Sequence, residues 1–138
     1  MMIHLKNVAS QIDLPLNTPS KAYNTRLAQE MGKWAEEQGK GDEFHCAVFQ
    51  SYFIKTQDIS SSLVLIDIAE SIGLSGEEAR NTIKNRTFRE EVDADWSYSH
   101  EIKVTAVPTF FVNQKKLSGA QPYEVLKKFI LDNHIQKR

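Results

Sequence analysis

The stretch "TAVPTFFVNQ", Thr105 to Gln114, puts a proline at the head of the most strand-like run in the chain. Proline donates nothing to a sheet ladder, so it belongs at a strand's first residue, on an edge or at a bulge. Before a proline the trans preference falls to about 0.5–1 kcal/mol, so a fold can hold either isomer. A cis bond here would leave the preceding backbone groups open to an extended peptide. A trans bond would merely start a strand. After "TFFVN" the spacing predicts a turn near Asn113-Gln114 and a return strand through "KKLSG".

Downstream, Pro122 stands at a first helical position, and Val125, Leu126, Phe129 and Ile130 are spaced as the core face of a last helix. Upstream the pattern is helical for about a hundred residues. Leu5, Val8 and Ile12 suggest a short helix ending before "LPLN", Leu14 to Asn17, where Pro15 and Pro19 impose extended or turned backbone. Asn24 reads as an N-cap ahead of a Leu27, Met31, Trp34 and Ala35 stripe, which Gly39 and Gly41 end. The following helix carries Phe44, Val48, Phe49, Tyr52 and Phe53 on a wide face and reads as the central one. Ser60 caps a helix holding Leu65, Ile68, Ala69 and Ile72. Ser75 and Glu78 form a capping box for a short helix with Ala79 and Ile83. Phe88, Val92 and Trp96 mark the buried side of one more, running to about Ile102. The expected fold class is α+β, with very little sheet.

Composition excludes several kinds of chemistry. The 138 residues suit one domain, and 41% hydrophobic against 25% charged is the mix of a chain that folds. Acidic and basic residues nearly cancel, 18 against 17, so no global field recruits nucleic acid or a membrane surface. No window has spanning length and no signal-peptide core stands at either end, in "MMIHLKN" or "NHIQKR". The reading is a cytoplasmic protein. His4, His45, His100 and His134 lack zinc-ligand spacing, and no cofactor or metal is expected. "EEVDAD", Glu90 to Asp95, reads as a solvated face, and "GKG" is too short to cradle phosphate. Cys46 is the only cysteine. It shares a helical face with Phe49 and Phe53, so a core position is expected, where a free cysteine behaves as a small hydrophobe.

"TAVPTFFVN" followed by "LSGAQP" resembles the cis-proline strand and hairpin of the DsbA family of thioredoxin-fold oxidoreductases. It is most similar to the FrnE-like branch, grouped with the glutathione-dependent hydroxychromene carboxylate isomerases. "NTRLAQEMGKWAEEQGKGDEFHCAVFQSYF" and "DIAESIGLSGEEAR" resemble that branch's helical insertion, and "LPLN" the segment before it. The resemblance implies one partial thioredoxin domain over 1–138, with about 20–103 as the insertion and about 1–19 and 104–138 as remnants of the core. It implies that Val107 and Pro108 form the loop that holds a substrate peptide. Ala106 and Gln114 stand where glycines are common in the family, without threatening the fold.

The family's first βαβ unit carries a Cys-x-x-Cys, and these residues contain none. A dithiol oxidoreductase needs its second thiol to resolve the mixed disulfide left by the first. The expectation is therefore a DsbA-like protein with no catalytic residue and no redox activity of its own. The alternatives are a non-catalytic peptide-binding or assembly module, and a fragment of a complete oxidoreductase or isomerase. The strand Thr109 to Asn113 is then expected to present an unpaired apolar edge. Either "LPLN", a second copy or a chain supplying the missing unit would cover it, and the homodimer is the favoured expectation.

Overall fold

The computed structural model describes residues 2–17 and 19–134. The end of "NHIQKR" from position 135, Met1 and the side chain of His4 lie outside the described residues. Among the described residues, seven helices and one two-stranded antiparallel sheet make a mixed α and β arrangement, as the periodicities require. It divides into two units, Met1–Ala94 and Asp95–Arg138.

The first unit holds α1 (Met2–Gln11), α2 (Arg26–Glu37), α3 (Gly41–Phe53), α4 (Ser62–Ser71) and α5 (Gly76–Asn85), and α6 (Arg89–Glu101) begins in it. Here α2, not α3, is the hub: it packs against α3, α4 and α5. Its stripe places Met31, Trp34 and Ala35 in a core with Phe44, Leu65, Ile66, Ala69, Ala79 and Phe88. The expectation for α3 fails because only Phe44 and Ser51 of that helix are buried. Phe49 on its aromatic face is 60% exposed. Gly32 lets α2 and α3 approach, since a Cβ there would come within 2.9 Å of the His45 ring.

Helix starts fall one residue later than the spacing suggests at two places. Thr25 occupies the cap of α2, but the Asn24 Oδ1 accepts the Arg26 N–H at 2.9 Å, so the asparagine still satisfies an orphan donor. Ser61 caps α4, while Ser60 donates its hydroxyl to Asp58. At α5 the Ser75 hydroxyl accepts the Glu78 N–H, as a capping serine should.

Two features have no counterpart in the apolar spacing. Glu30 is 3% exposed, and its carboxylate receives Arg26 Nε at 2.7 Å, Arg86 Nε at 2.7 Å and Arg86 Nη2 at 2.6 Å. The Arg86 hydrogen bonds hold this carboxyl below its ordinary range; burial opposes that shift and Arg26 adds to it. Arg26 also reaches Asp93 at 2.7 Å and the Arg89 carbonyl at 2.8 Å, so "EEVDAD" is not merely solvated but ties α6 to α2. The second feature is an apolar groove of about 510 Å³ between α1, "LPLN" and the end of α3. "LPLN" is not a strand; Asn17 bonds the Phe53 and Ile54 carbonyls instead.

In the second unit, β1 (Thr109–Val112) and β2 (Lys115–Ser118) form the hairpin, and α7 (Tyr123–Asp132) follows with Pro122 at its cap. Asn113 and Gln114 both take positive φ, 47° and 65°, the geometry of a type I′ turn that matches strand twist. Asn113 Nδ2 donates to the Asn133 carbonyl at 2.9 Å, which ties the turn to the end of α7. The apolar face of α7 is not a buried core. Leu126 and Phe129 are half-buried, and Val125 and Ile130 are 40% and 42% exposed. Trp96 is likewise 46% exposed, so the buried side of α6 ends at Val92. Two short strands and one helix are too little material to enclose large side chains.

Candidate functional site

The hairpin fixes the geometry around Val107 and Pro108. The register pairs Thr109 with Ser118, Phe110 with Leu117, Phe111 with Lys116 and Val112 with Lys115. The Val107–Pro108 peptide bond is cis. The Gly119 N–H donates to the Pro108 carbonyl at 2.7 Å, extending the ladder one step past β2. Gly119 reaches that bond at φ +87°, a backbone conformation that costs glycine nothing. Thr109 locks the corner from the other side. Its hydroxyl donates to the Ala106 carbonyl at 2.6 Å and lies 3.3 Å from the Ser118 hydroxyl.

Antiparallel ladders alternate, so bonded pairs at Pro108, Phe110 and Val112 leave Thr109 and Phe111 with their backbone groups aimed away from β2. No other strand among the described residues pairs with that side. The Val107 N–H and C=O also take no partner among the described residues, and its side chain is 87% exposed. Phe110 and Phe111 are each about 40% exposed. One side of this segment is therefore an unsatisfied row of donors and acceptors with apolar side chains beside it. Such a row can receive an extended chain as a further strand.

Cys46 is exposed, not in the core. It does share a face with Phe49, as the spacing implies, but α3 turns that face outward and buries the opposite one. Among the described residues no cluster of His, Cys, Asp or Glu converges to hold a metal ion. Among them, too, no helix is long and apolar enough to cross a membrane. The Glu30 network went unread in the sequence. The spacing of Arg26 and Glu30 is the signal that could have found half of it.

A thioredoxin-type proline corner on a hairpin, with a docking helix after it, defines the class, and the chain belongs to the DSBA-like thioredoxin domain family, which matches it over residues 1–131. Three Bacillus subtilis (strain 168) proteins give the finer comparison. The chain is 29% identical over 136 residues to the uncharacterized protein YwbO, covering 96% of this chain and 68% of YwbO. It is 29% identical over 135 residues to the ClpXP adapter protein SpxH, covering 91% of this chain and 43% of SpxH. It is 24% identical over 98 residues to disulfide bond formation protein D, covering 70% of this chain and 44% of that protein. The chain thus spans about two thirds of YwbO and less than half of the other two.

Proposed function

We propose that these residues form a peptide-holding DsbA-like domain of the FrnE-like branch that does no dithiol chemistry of its own. In this reading about 20–103 is the helical insertion and about 1–19 and 104–138 belong to the thioredoxin core. The observation that carries it is the open backbone of Val107 beside Pro108, next to an unpaired β1 edge, in a sequence with a single cysteine. Val107 and Pro108 contact the peptide. The strand expected from Thr109 to Asn113 ends at Val112, with Asn113 in the turn, and this β1 edge is covered by a second copy, two such edges meeting about a two-fold axis. A lone exposed thiol suits a reducing compartment, so we place the protein in the cytoplasm. The similarity to SpxH supports a holding role, since that protein is named for an adapter function.

The similarity to disulfide bond formation protein D supports a second reading. There the same corner presents a substrate to a Cys-x-x-Cys supplied from outside these residues. Insulin reduction with a Cys-x-x-Cys-bearing chain added in trans separates the two, since only the second reading expects turnover in the mixture. The first reading expects no turnover from this polypeptide alone, and turnover that disappears on Cys46→Ser would overturn it. Light scattering at micromolar concentration is expected to report a dimer, and a monodisperse monomer would remove the two-fold pairing.

A further inference from the structure

Independently of the hairpin, a second cavity lies within the first unit. It measures about 360 Å³ and opens between the segment before α2, α2 itself and α3. That volume falls at the low end of ligand pockets, which run from roughly 300 to 1,000 Å³. Ala28 and Ile59 form its floor, since both are buried. The exposed Thr25 and His45 stand at its rim.

Its wall is a chain of aromatic rings. Tyr23 meets Tyr52 edge-on at 6.1 Å and 79°, Tyr52 meets Phe53 at 4.8 Å and 74°, and Phe53 meets Phe49 at 6.5 Å. Rings arranged edge-to-face leave faces and edges on which a further ring packs favourably. The room exists because positions 22 and 28 are both alanine.

Polar chemistry at the rim narrows the ligand. The Thr25 Oγ1 accepts from Gln29 Nε2 at 2.9 Å, so its hydroxyl hydrogen is left to donate. Among the described residues no Asp or Glu lines the cavity. The Lys21 ammonium sits 5.2 Å from the Tyr23 ring centre, close enough to repel a cationic ligand at that wall.

We propose that this cavity binds a small, uncharged, planar aromatic molecule of one or two rings with a hydrogen-bond acceptor on its edge. The rings of Tyr23, Tyr52 and Phe49 hold its faces, and the Thr25 hydroxyl meets the acceptor.

The test is titration of the full chain with 2-naphthol, followed by its fluorescence, against the cation N-methylquinolinium. The expected result is saturable one-to-one binding of 2-naphthol with a Kd of about 0.1–1 mM, and binding of the cation at least about tenfold weaker. Tyr23→Ala removes a wall and Ala22→Phe fills the space; each is expected to weaken 2-naphthol binding about tenfold or more, with melting curves showing both variants folded. Val8→Asn, in the neighbouring α1 groove, is expected to leave the affinity unchanged. The proposal fails if binding does not saturate, if the cation binds equally well, or if Val8→Asn weakens binding as much as Tyr23→Ala.

Discussion

The Gly119 N–H bonds the Pro108 carbonyl at 2.7 Å, and that one contact decides which backbone groups of the proline corner are spent and which stay open. It continues the alternation of the hairpin upstream, so the next open groups fall at Thr109 and Val107. Replacing Gly119 attacks this arrangement directly. Its φ of +87° is strained for any side chain, so Gly119→Val is expected to cost about 1–2 kcal/mol. Urea melts measure the loss; an unchanged midpoint would show that the corner does not depend on this bond.

The open edge can be tested one N–H at a time. Phe111→Pro removes a donor that points away from β2, whereas Phe111→Ala trims the side chain and keeps the donor. Under the two-fold pairing, sedimentation should show the proline variant as monomer, with the alanine variant retaining more of the dimer. Equal behaviour of the two would assign any association to the side chain.

Glu30 is expected to dominate the acid response of the first unit. Removing one member of a buried ion pair costs about 3–5 kcal/mol. Glu30→Ala should fall at the low end, because the Arg86 side chain is 41% exposed and keeps its hydration. The folded-state pKa of Glu30 lies below its ordinary 4.5, chiefly through Arg86. Its contribution is therefore complete above about 4.5 and is lost as pH falls through the folded value. Melts of the parent and Glu30→Ala should converge as pH drops below 4.5. A gap that stays constant to pH 2 would mean the charge is not what matters.

Cys46 lies on the outward face of α3, so it should titrate with a thiol reagent in the native state, without denaturant. Cys46→Ser should change stability by less than about 0.5 kcal/mol, as exposed substitutions do. A thiol that reacts only on unfolding would return it to the core.

The elements were largely legible because local rules govern them. Asn113-Gln114 directly after the apolar run Thr109 to Val112 gives the hairpin, and the Met31, Trp34 and Ala35 stripe gives the buried face of α2. What periodicity does not carry is the side from which a face is covered. Cys46, Phe49 and Phe53 do line up on α3, and Phe88, Val92 and Trp96 do recur at helical intervals. Yet Phe49 and Trp96 are exposed, because burial depends on which neighbour packs there. The Arg86 partner of Glu30 was invisible for a related reason. The two residues are 56 positions apart, and only the ending of α5 brings them together.

That ending has a practical consequence for anyone stabilising the protein. Arg86 closes α5 in the left-handed conformation, at φ 53° and ψ 42°. A survey of backbone angles alone would flag it for replacement by glycine, which adopts that shape freely and should recover about 1 kcal/mol. Here the same change would strip two of the three guanidinium bonds from Glu30. An engineering rule that is sound at most helix ends would therefore misfire at this one, and Arg86→Gly should lower the melting temperature.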